Sequence, residues 1–404
     1  MNVTEAKNMS RAPGEGQSAL PMLPIVQPTL PDWEILAQDF KAIAADPKIT
    51  VGKFVRLLEA EVERRLDVRH AIAVSSCTSG LMLAVRALGV TGEAILPPFT
   101  WSSTGLCLLW AGIEPVFADI EPGRYTLDPA SFERAITPRT TAVLPVTVFG
   151  VAPDLDAIES IARRHGLTVI YDTAQGLGST WRGRPLGGFG HVEVFSMSPT
   201  KVATSVEGGI LTTNDDVLAG KLRRMRDYGK ADDGDIDLLG LSARQSELHG
   251  AVGLRTVQAL DAAIDARARI VSLYREGLSD LPGVAFQTVP KDTTTTWNYV
   301  TLFLSGDDLG ADGRPDPVRA GAVTGRVHDA LEAVKIQTKR YFYRPLHQQT
   351  VYAAYAERAR GTVPVAELAS ARGLALPLYS HMPDSDVHRV IDAVRTAWTT
   401  ELSR

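Results

Sequence analysis

The chain has 404 residues, 45% of them hydrophobic and 22% charged, with a formal net charge of −5. That length allows a large core and more than one domain, and the mild acidity gives no reason to expect nucleic acid as a partner. Its two cysteines, Cys77 and Cys107, cannot build a disulfide framework and form no CxxC pair, so no zinc or other metal site is expected and a reducing, cytoplasmic setting is.

Residues 1–22 are polar, contain Gly and Pro, and read as a loose N-terminal arm without the apolar centre of a signal peptide. No run of about 18 apolar residues occurs, so no membrane span is expected. From about residue 50, helical and strand patterns alternate. KFVRLLEAEVERRLD (53–67) has apolar residues at helical spacing, HAIAVSS (70–76) is a short apolar strand, and CTSGLMLAVRALGV (77–90) is a second helix. EAILPPF (93–99), EPVFADI (114–120), TAVLPVTVFG (141–150) and LTVIYDT (167–173) are short runs rich in Val, Ile and Leu. Residues 191–213 read as two strands flanking a loop, and 259–281 as a long helix between two domains. Then come WNYVTLFLS (297–305), a polar Gly/Asp/Pro stretch at 306–317, the helical GRVHDALEAV (325–334), LALPLYS (374–380) and the helical DSDVHRVIDAVRTAWTTEL (384–402). Continuous apolar strands separated by helices predict an α/β fold with a mostly parallel mixed sheet covered on both faces. The expected division is a large domain over 23–260 and a smaller C-terminal α/β domain over 261–404.

The residues with chemical promise follow strand ends, where α/β sheets bind ligands. Lys201 follows FSMSPT. A lysine there suits a Schiff base, and the alternative is a solvated surface lysine. Asp172 ends the run LTVIYD. It would keep a pyridinium nitrogen protonated, or cap the next helix. Gln175, three residues on, would reach the ring's hydroxyl side, or serve as an ordinary polar residue of a first turn. Ser76, Cys77 and Thr78 open a helix whose free N–H groups attract phosphate, or simply cap it. Trp101, in LPPFTW, would stack on a flat ring or fill a core. Ser196 offers a second phosphate contact. No strand is followed by GxGxxG; the nearest text, GEGQSA at 14–19, lies in the arm, which argues against a nicotinamide dehydrogenase.

The text around these residues resembles the DegT/StrS family of sugar aminotransferases, which have the fold-type I architecture of pyridoxal-phosphate enzymes. The resemblance runs from about residue 23 to the C-terminal helix. It is carried by LLEAEVERRLDVRHAIAVSSCTSGL, LPPFTW, PVTVFG, IYDTAQGLGS, FSMSPTKVATSVEGGILTT and LSARQSELHGAVGL. It implies Lys201 as the lysine that carries pyridoxal 5′-phosphate, Asp172 on the ring nitrogen, Gln175 on the ring hydroxyl and Trp101 stacked on the ring. It also implies that the Cys77 backbone and the side chains of Thr78 and Ser196 hold the phosphate. A homodimer is implied too, with Ser242 reaching the partner's phosphate where the family usually has asparagine. Cys77 stands in place of a loop glycine, and Thr147 in place of a histidine. Some members have histidine at the lysine position and are sugar dehydratases; lysine here favours transamination. The implied reaction takes an amino group from glutamate to a nucleotide-linked 4-keto-6-deoxyhexose, with thymidine diphosphate the expected carrier. The alternatives are amination of a 3-ketone and a pyridoxal-phosphate-binding regulator without turnover. His347, in YRPLHQQ, matches a family segment or is a structural histidine.

Overall fold

A computed structural model describes residues 21–359 and 362–403. The expected arm at 1–22, with the GEGQSA text, lies outside the described residues except for its last two positions.

Seven strands form the central sheet. They are β1 (His70–Val74), β2 (Glu93–Leu96), β3 (Glu114–Phe117), β4 (Thr140–Val143), β5 (Thr168–Asp172), β8 (Val192–Ser196) and β9 (Gly209–Thr213), the short β6 (Thr180–Trp181) and β7 (Arg184–Pro185) standing apart. The order is β1-β9-β8-β5-β4-β2-β3. The pairs from β3 through β2, β4 and β5 to β8 are parallel, while β9 runs antiparallel to both β8 and β1. Only β9 therefore opposes the common direction, which makes the sheet mixed and mostly parallel. The reason is local: no helix separates β8 from β9, and without a crossover the chain must turn straight back.

Both sheet faces are covered, so neighbouring strand residues enter different cores. Ile72, Ile170 and Val194 join one apolar cluster, and Ala71, Tyr171 and Phe195 join the other. The helix Lys53–Leu66 starts at Gly52, which has no capping side chain. Buried Glu247 caps it instead, accepting the N–H groups of Gly52 (2.7 Å), Phe54 (2.7 Å) and Val55 (3.1 Å).

A third cluster gathers Ile270, Leu302, Leu376, Val390 and Trp398. It surrounds an antiparallel sheet of β10 (Val284–Phe286), β12 (Val300–Leu304) and β13 (Gly373–Leu376), while β11 (Thr293–Thr294) pairs with β6. Leu23 packs in this cluster and pairs with Ile336. The helix expected at 325–334 spans Pro317–Ala333. It begins earlier because Pro317 suits the first turn and Asp316 accepts the Val318 and Arg319 N–H groups at 2.7 and 3.1 Å. No helix of the described residues is long and apolar enough to cross a membrane.

Candidate active site

The carboxyl ends of β1, β2, β4, β5 and β8 share one edge of the sheet, and a cleft of about 370 Å³ opens there. Ser76, Cys77, Thr78, Trp101, Asp172, Gln175, Ser196 and Lys201 all line it. Ser242 does not: it is exposed on the segment after the helix Asp216–Met225 and bridges to Asp227.

After β1 the chain enters the helix Cys77–Ala87. Ser76 caps it, accepting the Ser79 N–H at 3.0 Å while Ser79 Oγ accepts the Ser76 N–H at 3.1 Å. Cys77 and Thr78 occupy the first turn, whose N–H groups have no partner inside the helix and sit at its positive end. Strand β9 passes against this turn. A Cβ on Gly209 would come within 2.6 Å of the Cys77 nitrogen, so the close approach requires glycine. The Cys77 side chain does not obstruct the turn. It is buried, its Sγ lies 3.9 Å from the Val194 carbonyl oxygen, and burial pushes the thiol well above its ordinary pKa. Thr78 donates its hydroxyl to Ser103 at 3.0 Å.

Asp172 is the last residue of β5 and is 3% exposed. Its Oδ2 accepts the Thr104 hydroxyl at 2.6 Å and its Oδ1 the Ala174 N–H at 3.2 Å. Burial raises its pKa above the ordinary value, against the pull of Thr104, Ala174 and Lys201. Gln175 Oε1 accepts the Phe149 N–H at 2.5 Å, which turns its amide nitrogen to other partners. Lys201 is half-buried in the loop between β8 and β9. That loop is pinned: Ser205 N–H and Thr204 Oγ1 donate to the Met197 carbonyl at 2.9 and 3.1 Å, and Thr256 donates to the Thr204 carbonyl at 2.7 Å.

This donor set fits pyridoxal phosphate. It offers an amine, a buried carboxylate for the ring nitrogen, an amide nitrogen, an aromatic face 55% exposed at Trp101, and a helix N-terminus with nearby hydroxyls for the phosphate.

Sequence reading missed several residues in or behind the cleft. Thr104, fully buried behind the cleft and bonded to Asp172, lies one turn after Trp101, and the helix start at the end of β2 was its available signal. Tyr299, Lys339 and Tyr341 come from the C-terminal region and carry no local signal. Tyr341 donates its hydroxyl to that of Tyr299 at 3.2 Å. Burial opposes ionisation of Tyr299, but Lys201, Thr200, Tyr341 and Lys339 outweigh it and lower its pKa. His347 lies away from the cleft: it is buried and its Nε2 is 2.9 Å from Glu367.

Residues 33–395 match the DegT/DnrJ/EryC1/StrS aminotransferase family. Among curated proteins, the GDP-perosamine synthase of Caulobacter vibrioides is 31% identical over 389 residues, covering 93% of this chain and 98% of that protein. The dTDP-3-amino-3,4,6-trideoxy-alpha-D-glucose transaminase of Streptomyces venezuelae is 33% identical, covering 90% and 92%. The crystal structure of DesI in the presence of its TDP-sugar product superposes with a TM-score of 0.86 at 32% identity, covering 96% of each chain. With Lys201, Asp172 and a helix N-terminus gathered at one sheet edge, the chain belongs to the DegT/DnrJ/EryC1/StrS aminotransferase family and is a pyridoxal-phosphate-dependent aminotransferase of fold type I.

Proposed function

We propose that the enzyme transfers the amino group of glutamate to C4 of a nucleotide-linked 4-keto-6-deoxyhexose, with thymidine diphosphate as the carrier, in cytoplasmic deoxyaminosugar synthesis. The observation that carries the reading is the single cleft holding Lys201, Asp172, Gln175, Trp101 and the Cys77 turn together. Lys201 holds the cofactor; once displaced by the donor, its amine takes a proton from the substrate carbon that bears nitrogen and later returns one. Asp172 keeps the ring nitrogen protonated, Gln175 meets the ring hydroxyl, and Trp101 covers the ring face. The Cys77 backbone with Thr78 and Ser196 holds the phosphate. Bound there, pyridoxal phosphate supplies the sink for the electron pair left at the substrate carbon.

The choice of C4 rests on chemistry: a 4-ketone forms directly when a sugar 4,6-dehydratase acts, whereas a 3-ketone needs a further step. Amination at C3 is the second reading, favoured by the S. venezuelae relative named for a 3-amino sugar. The test supplies the thymidine-diphosphate 4-keto sugar with glutamate and locates nitrogen in the product by NMR. Nitrogen at C4 supports the proposal; turnover of the 3-ketone alone overturns it. Lys201→Ala must abolish turnover. Near wild-type rates in that variant would remove Lys201 from its role.

The working unit in this reading is a homodimer in which the partner's Ser242 reaches the phosphate. Ser242 is exposed and near apolar surface: Trp110 is 76% exposed, and Leu239, beside it, is 67% exposed.

A further inference from the structure

The cleft is lined by two cationic side chains, Lys201 and Lys339, and two carboxylates, Asp172 and Glu207. In the proposed reading Lys201 is committed to the cofactor. Lys339 is then the formal cation that the described cleft residues leave for the substrates, and the amino donor brings a carboxylate next to its reacting carbon. A carboxylate entering a partly desolvated cleft needs a charged donor to offset its lost hydration.

Lys339 is held ready for that task. Its backbone is fixed to β13, the Lys339 N–H donating to the Ala375 carbonyl at 3.2 Å and the Ala375 N–H to the Lys339 carbonyl at 2.7 Å. Its Nζ lies 5.5 Å from the ring centroid of Trp101 and 4.9 Å from that of Tyr341. Two aromatic faces thus restrain a side chain that is otherwise a flexible point charge. Among the described residues, no carboxylate is ion-paired with it. It is exposed at the cleft wall, where an entering anion can reach it, and it lines the same cleft as Lys201. The Tyr341 ring beneath it bonds through its hydroxyl to Tyr299, and the charges of Lys201 and Lys339 both reach the Tyr299 phenol.

Resting on the proposed glutamate-dependent reaction, we infer that Lys339 is the receptor for the carboxylate of the amino donor. The sugar nucleotide's diphosphate offers similar anion chemistry. It is separated from the reacting carbon by the sugar ring, however, whereas Lys339 shares its phenol with Lys201. The same lysine would then release its anion when donor leaves and sugar enters, which makes it a determinant of donor choice.

The test uses holoenzyme and glutarate, a dicarboxylate with no amino group to give. Calorimetric titration of wild type, Lys339→Met and Lys339→Arg measures binding without turnover, and the visible absorbance of the bound cofactor verifies that each variant is folded and loaded. Lys339→Met should weaken glutarate binding roughly ten- to hundred-fold, the range for one charge-assisted hydrogen bond. Lys339→Arg should restore part of it. In the donor half-reaction, the loss should fall on the glutamate concentration needed and not on the rate at saturation. Titration with thymidine diphosphate should be unaffected. Unchanged glutarate affinity in Lys339→Met overturns the inference, and so does a loss confined to thymidine diphosphate. Wild-type enzyme that neither bleaches with glutamate nor binds glutarate would sink the donor assignment itself, before any variant is compared.

Discussion

Asp172 places a buried carboxyl in the cleft. A carboxylate at 3% exposure is costly to ionise, and three groups work against that cost: Thr104 by hydrogen bond, Ala174 through its N–H, and Lys201 by charge. Opposite a protonated ring nitrogen the charge gains its natural partner. Asp172→Asn keeps the shape, and the amide oxygen can still accept a hydrogen bond, but the charge is gone. We expect a rate loss of about three orders of magnitude, the size seen when one preorganised electrostatic partner is removed. Steady-state rates of the folded, cofactor-loaded variant check this; a rate within a factor of ten of wild type would take Asp172 out of the site.

At the scale of elements, the junction of β1, the helix Cys77–Ala87 and β9 forms the end of the cleft proposed to take the cofactor's phosphate. Its geometry depends on β9 lying directly against a helix N-terminus. Gly209 permits this because backbone atoms of Ser76 and Cys77 stand 2.7 and 2.6 Å from where a Cβ would be. Backbone cannot give way as a flexible side chain can. Gly209→Ala should therefore cost about 1–3 kcal/mol of stability, the usual range for overpacking, and weaken cofactor binding by moving the helix turn. Urea unfolding and cofactor titration measure the two effects. A variant unchanged in both would show that the junction is looser than described.

Across the whole molecule, the proposed division into 23–260 and 261–404 sets the cleft between a large sheet and a C-terminal unit that supplies Tyr299, Lys339 and Tyr341. A buried acid ties the large sheet to its loops. Glu193 on β8 accepts the N–H groups of Gly187 (2.6 Å) and Phe189 (2.9 Å) and the Thr173 hydroxyl (2.8 Å). Burial raises its pKa from 4.5 to about 7. A carboxyl whose pKa is raised on folding contributes stability below its unfolded value and loses it as pH rises through the folded value. Between about pH 4.5 and 7 the fold should lose about 3 kcal/mol through this group, at 1.36 kcal/mol per pKa unit. Glu193→Gln removes that slope. Relative to wild type, the variant should gain stability as pH goes from 5 to 8, read as a shift in urea midpoint. A constant difference between the two proteins would contradict the raised pKa. The proposed homodimer makes a separate prediction. Lys201→Ala subunits mixed with subunits bearing Trp at position 242 should form one intact site per mixed dimer and recover part of the activity. No recovery in verified mixed dimers would mean that each site is built from one chain.

The sequence by itself determined the alternation of strands and helices, because apolar runs buried on both sheet faces and amphipathic helices are local patterns. It also located the cleft residues that follow strand ends, since in a parallel sheet those ends share one edge. The order of strands, the reversal at β9 and the early start of the Pro317–Ala333 helix were less legible, because pairing and capping depend on neighbours. Glu247 illustrates the limit: it caps a helix that begins at Gly52, nearly two hundred residues away in sequence. Tyr299, Lys339 and Tyr341 are ordinary residues in their own segments. Only packing of the C-terminal unit against the large sheet brings them to the cleft of Lys201, where Tyr299 and Tyr341 are buried and exposed Lys339 meets the ring of Trp101, none of which a local stretch of sequence encodes.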